Sequence, residues 1–120
     1  FEMAVILITH DLGVVAETCQ RALVMYCGEV VEAAPIGPLF SAPRHPYTAG
    51  LLRSIPRIRS EKLARLPVIE GMVPDLAALP DGCRFADRCN KVQSGCREQS
   101  PKLITDTAER AVACWHPVEH

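Results

Sequence analysis

The sequence predicts an α/β fold: the edge of an α/β sheet, followed by a loop-rich segment that carries cysteines. Three observations predict it. Ala4-Val5-Ile6-Leu7-Ile8 is continuously apolar and β-branched in part, which reads as a strand covered on both faces, as in a parallel sheet. A capped helical stripe and a hairpin follow it directly. Four cysteines, Cys83, Cys89, Cys96 and Cys114, then occupy the last third of the chain among prolines that interrupt regular structure.

The first strand ends at Thr9-His10-Asp11. Asp11 suits a helix N-cap, because its carboxylate accepts backbone N–H bonds and complements the helix dipole. Leu12, Val15, Ala16 and Cys19 then form one apolar helical stripe. Arg21 to Tyr26 reads as a second strand. Cys27-Gly28 makes a tight turn with Gly at positive φ, and Glu29 to Ala33 returns as a third strand. Glu29 and Glu32 read as solvated strand residues.

From Pro35 to about Ile55 the chain starts with prolines and becomes helical. Pro46 fits a first helical turn, where a missing N–H costs nothing. Tyr47, Leu51, Leu52 and Ile55 share a face, and Pro56 stops the helix. A basic segment with Arg57, Arg59, Lys62 and Arg65 follows, then Leu66-Pro67-Val68-Ile69-Glu70-Gly71 and a loop from Pro74 to Pro80. The four-cysteine segment comes last. There is no internal repeat and no low-complexity tract.

The 120 residues are 48% hydrophobic and 22% charged, enough to bury a core and against wholesale disorder. A net charge of -1 excludes a chain that grips nucleic acid over its whole surface. The positive residues from Arg53 to Arg65 have no aromatic among them, so base stacking has no candidates and a solvated face is the simpler reading. The run Met3 to Ile8 is far shorter than the roughly 18 to 20 residues of a membrane helix. No leader opens the chain, and its start at Phe-Glu-Met is expected to lie in the middle of something longer. In a reducing compartment, clustered thiols suggest a metal site before disulfides.

His10 sits where a covered strand meets a helix. Ligands of open α/β sheets collect at such places, outside the carboxyl ends of strands and near helix N-termini. The alternative is a helix-entry histidine that bonds to backbone. Four ordered blocks then carry a resemblance. Ile6-Leu7-Ile8-Thr9-His10-Asp11-Leu12 is similar to the switch-histidine region of ABC-type ATPases, and Gly28-Glu29-Val30-Val31-Glu32 to the hairpin after it. Pro43-Arg44-His45-Pro46-Tyr47-Thr48 with Leu51-Leu52 and Ser54-Ile55-Pro56 resembles the start of the C-terminal extension in ATP-binding subunits of dipeptide and oligopeptide importers. Gly82-Cys83-Arg84-Phe85, Arg88-Cys89, Cys96, Pro101 and Cys114-Trp115-His116-Pro117 resemble the rest of it.

The resemblance implies that residues 1–34 finish a nucleotide-binding α/β domain and that 35–120 form the peptide-importer extension. It implies that His10 contacts the γ-phosphate of ATP and holds the attacking water in line, where an imidazole stabilises charge on the transferring phosphoryl group. It implies ATP and magnesium as ligands of the full subunit only. It implies a second ATP-binding subunit and transmembrane permease subunits as partners, and a peripheral place on the cytoplasmic face of the inner membrane. The chain contains no Gly-x-x-x-x-Gly-Lys-Ser/Thr phosphate loop, no signature serine-glycine segment and no apolar strand ending in Asp-Glu. Alone it is therefore expected neither to bind ATP tightly nor to hydrolyse it. An incomplete sheet would also leave an open edge, so self-association is expected.

The four cysteines follow the spacing C-x5-C-x6-C-x17-C. Zinc ribbons use pairs two to four residues apart, so these gaps weaken a zinc site. A 4Fe-4S cluster accepts four thiolates from wider loops, and some members of the resembling subfamily carry one. The expected ligands are Cys83, Cys89, Cys96 and Cys114, with zinc second and disulfides third, in a structural role. His116 is a possible substitute ligand. Cys19 and Cys27 read as plain thiols. A stand-alone iron–sulfur or zinc-binding interaction or nucleic-acid module is the rival reading.

Overall fold

A computed structural model describes residues 3–55, 68–106 and 109–120. The basic positions Arg57, Arg59, Lys62 and Arg65, and Pro56, lie outside the described residues. Helix α1 (Leu12–Thr18) begins at the Asp11 N-cap, whose Oδ1 accepts from the Val14 amide at 3.2 Å. Strands β1 (Arg21–Tyr26) and β2 (Glu29–Pro35) form the antiparallel hairpin. Cys27 and Gly28 both take positive φ, 47° and 81°, which matches the twist of a two-residue hairpin loop.

Helix α2 (Ile36–Ser41) follows β2 without a break and packs on the hairpin. Gly37 within it disfavours a helix locally, while Pro38 stands in the first turn, where a missing N–H costs nothing. Helix α3 (Pro46–Arg53) has Pro46 at its first position and His45 as N-cap. Its buried positions are Pro46, Thr48, Ala49, Gly50 and Leu52, with Tyr47, Leu51 and Ile55 half-buried. A 3-10 turn (Ala86–Arg88) and helix α4 (Ser94–Glu98) follow in the cysteine segment. Strands β3 (Ile104–Thr105) and β4 (Ala111–Val112) complete a four-stranded sheet in the order β1-β2-β4-β3, antiparallel throughout.

One expectation is corrected here. Residues 4–8 form no strand and lie open, with Ile6 92% and Ile8 94% exposed. A strand buried on both faces exists only with neighbours to pair with it, and none of the described residues does so. The sheet that forms instead is built around β2. Pairing slips by one residue at Val24/Met25, leaving Val31 as a bulge. With β1 on one side and β4 on the other, Val31, Glu32, Ala33 and Ala34 are buried consecutively.

The core between the hairpin, α3 and the cysteine segment is aromatic. Tyr26 lies 4.7 Å from Tyr47 and 5.2 Å, edge-on, from Phe85, centroid to centroid. Val31 joins Tyr26 and Phe85 as fully buried members of this cluster. Such pairs add about 0.5–1.5 kcal/mol each beyond their area. Arg88 closes the outer side: its guanidinium sits 5.9 Å over the Tyr26 ring and donates to the carbonyls of Ile69 and Glu70.

Candidate functional site: a four-cysteine cavity walled by a buried histidine

The two sets of predicted site residues fall in different places. His10 is exposed on the extended arm before α1, with no hydrogen-bond partner among the described residues. Its neighbours are tied locally, the Asp11 amide donating to Thr9 Oγ1 at 3.0 Å. Cys83, Cys89, Cys96 and Cys114, by contrast, line one cavity together with His45, Phe85, Trp115 and His116. Cys19 and Cys27 lie outside it, at the end of α1 and in the hairpin turn.

Several constraints bring the cysteines together. The Cys83 amide donates to the Cys96 carbonyl at 2.7 Å. Gly82 makes that approach possible, because a Cβ there would lie 2.3 Å from the Cys96 carbonyl oxygen. Arg84 donates to the Cys27 carbonyl and pairs with Glu29 at 3.3 Å, tying the segment to the hairpin turn. The Trp115 indole N–H donates to the Gln99 carbonyl at 2.9 Å, holding the Cys114 loop to the end of α4.

The sulfurs sit among backbone donors. The Lys91 amide donates to Cys89 Sγ at 3.3 Å. The amides of Phe85 and Ala86 act on Cys83 and that of His116 on Cys114, each lowering the thiol pKa. Burial outweighs them: it pushes Cys83 and Cys89 up, and Cys114 up to about 11. The other thiols of the set add to the rise, Cys114 responding to Cys89, Cys83 and Cys96. A metal's positive charge reverses this logic and deprotonates its thiols outright.

All six cysteines are free thiols. Among the described residues no group of three or more His, Cys, Asp or Glu side chains is placed to hold a metal ion, so neither zinc nor iron–sulfur binding has support from a formed site. The four thiols share the lining of one cavity without forming a ligand set among the described residues. The cavity measures about 20 Å³, near the space of one water, so an iron–sulfur cluster requires the short loops around it to part.

Reasoning from sequence missed His45 and Glu32. His45 is 1% exposed. Its Nδ1 accepts from the Tyr47 amide at 3.0 Å, and burial pushes its pKa down to about 4, so the ring is neutral with its proton on Nε2. Glu32, expected to be solvated, is 0% exposed. It accepts from the Arg44 and His45 amides at 2.8 and 2.9 Å and from Arg110 Nη2 at 3.3 Å. Glu29 keeps 43% of its side chain exposed in its pair with Arg84, in keeping with the solvated reading. The available signal was His45 directly before Pro46, the N-cap place. Nothing local marked Glu32, whose cover comes from β4.

Residues 31–96 match the family described as oligopeptide/dipeptide transporter, C-terminal region. The chain belongs to that family. Among curated relatives of this transporter family, a probable peptide ABC transporter ATP-binding protein of Sinorhizobium fredii is 50% identical over 116 residues, 97% of this chain and 35% of its own length. The oligopeptide transport ATP-binding protein AppD of Bacillus subtilis is 50% identical over 115 residues, 96% of this chain and 35% of its own. The chain thus spans about a third of the relatives it matches. These matches leave the reading as a stand-alone metal or nucleic-acid module without support. No helix among the described residues is long and apolar enough to cross a membrane.

Proposed function

We propose that the chain is the C-terminal part of an ATP-binding subunit that powers peptide import. The match along 97% of the chain to a peptide transporter's ATP-binding protein carries this reading. Residues 1–34 belong to the nucleotide-binding domain and 35–120 to the extension. In the full subunit His10 reaches the γ-phosphate of ATP beside magnesium, and its open position on the arm before α1 leaves it free to do so. Positioning and electrostatics supply most of phosphoryl-transfer catalysis. The subunit pairs with a second ATP-binding subunit and docks peripherally on transmembrane permease subunits at the cytoplasmic face of the inner membrane. Nucleic acid is not a partner.

Without a phosphate loop in its sequence, the 120-residue chain does not turn over ATP. Calorimetric titration with magnesium-ATP and a phosphate-release assay test this. The expected results are no binding heat and no release; hydrolysis by the chain alone would overturn the reading. The open apolar arm and the exposed Leu23 and Met25 of edge strand β1 favour self-association, which sedimentation at rising concentration reads.

Cys83, Cys89, Cys96 and Cys114 would hold a 4Fe-4S cluster. Bound there, the cluster cross-links the loops of the extension, a structural staple of the kind small loop-rich segments need. Zinc is the second candidate. Iron near four per chain with a broad visible band after anaerobic loading supports the cluster; stoichiometric zinc without colour sinks it.

A further inference from the structure

We infer that Cys83 and Cys96 form a reversible disulfide in the metal-free chain, a cross-link between the first cysteine loop and α4. The inference goes beyond the cluster reading and stands apart from it: both use these two thiols, and the bridge concerns the chain without metal. Three observations carry it. The Cys83 amide donates directly to the Cys96 carbonyl at 2.7 Å. A bond of that kind sets the two Cα atoms about 5–6 Å apart, within the roughly 4.4–6.8 Å that disulfides span. Both side chains line the same cavity, and both are free thiols. The cavity leaves about 20 Å³, and no three metal-binding side chains are placed together among the described residues. A disulfide asks for neither room nor a third ligand: it adds no atom and needs only two sulfurs.

Local geometry selects this pair over its rivals. Gly82 lets the Cys83 loop press on the Cys96 backbone, since a Cβ at 82 would lie 2.3 Å from the Cys96 carbonyl oxygen. Cys89 Sγ is instead held by the Lys91 amide at 3.3 Å, and the Cys89 amide donates to the Ala86 carbonyl within its own turn. Cys83 is half-buried and Cys96 is 8% exposed, so an oxidant in solution meets Cys83 first. The oxidant class is a hydroperoxide. Its O–O bond breaks as one oxygen passes to the Cys83 sulfur, leaving a sulfenic acid and an alcohol, or water from hydrogen peroxide itself. The Cys96 sulfur then attacks the Cys83 sulfur. The S–O bond breaks, the S–S bond forms, and the hydroxyl leaves as water with the Cys96 proton. A dithiol returns two electrons and two protons and restores both thiols.

The test uses the metal-free 120-residue chain, reduced, freed of reductant and treated with hydrogen peroxide at low protein concentration. Free thiols are counted and a tryptic map is read by mass spectrometry. Cuts after Arg84, Arg88, Lys91 and Arg97 put Cys83, Cys89, Cys96 and Cys114 on separate peptides. The expected result is a loss of two from the six free thiols and a mass lower by about 2 Da, with the first bridge joining the Cys83 and Cys96 peptides. Dithiothreitol reverses all three changes. Cys89→Ser keeps the bridge, whereas Cys96→Ser abolishes it and leaves the Cys83 sulfenic acid open to capture by dimedone. A first bridge between any other pair, within or between chains, or retention of all six thiols overturns the inference. Failure of iron loading, measured separately, refutes the cluster and leaves this result standing.

Discussion

His10 and His45 are held in opposite ways. His10 lies on an extended exposed arm, and among the described residues its ring touches nothing by hydrogen bond. His45 has its amide on a buried carboxylate, its Nδ1 on the next turn's amide and its ring beside Phe85. A residue that acts on a ligand brought from elsewhere can be left open, whereas one that shapes a cavity of its own chain must be fixed. The difference teaches where to look for effects within these residues. Changes around His45 alter the fold, and changes at His10 alter only what the arm meets.

The sharpest way to break this contrast is Glu32→Ala. It strips two backbone amides and the half-buried Arg110 guanidinium, which keeps the Ala42 carbonyl, of their shared acceptor, and a loss of about 3 kcal/mol is expected in urea unfolding. Acid is next. An unfolded histidine titrates near 6.5, while burial holds His45 at about 4. Below pH 6.5 the unfolded chain binds a proton that the native chain refuses. Stability is therefore complete above 6.5 and falls as the pH drops towards 4, by about 3 kcal/mol in all. Unfolding midpoints of the iron-free chain at pH 7 and 4 read this, and His45→Phe should flatten the slope.

Gly82→Ala places a Cβ against the Cys96 carbonyl and should cost about 1–3 kcal/mol as the two cysteine loops are forced apart. Last comes His10→Ala, expected to stay within about 0.5 kcal/mol of the native chain. A large destabilisation there would mean that the arm is anchored after all and would dissolve the contrast.

What the sequence made legible follows the range of the forces involved. Asp11 as a cap, Cys27-Gly28 as a turn and Pro46 as a first helical residue act over a few bonds, and each stands where it was expected. The four cysteines, expected as one ligand set, line one cavity, although no three of them among the described residues are placed to hold a metal ion. The strand at 4–8 was not realised, because an apolar run states what a strand would like to touch and not whether a partner exists. Glu32 was misread for the converse reason: its cover is β4, paired at Val112, and Arg110 beside it. Helix α2 went unseen because Gly37 argues against it locally and six residues are too few to show a helical period, while the hairpin beneath it favours the turn.

The pairing of β2 with β4 has a further consequence for biosynthesis. As the polypeptide leaves the ribosome, the hairpin can close early, but the outer edge of β2 stays bare until Ala111 and Val112 have emerged. The Val118 amide then latches onto the Arg44 carbonyl at 2.7 Å. Throughout that interval the nascent segment offers an unsealed β-edge to neighbouring chains. A stop codon before Ala111 would make the interval permanent and turn a transient risk of clumping into the fate of the product.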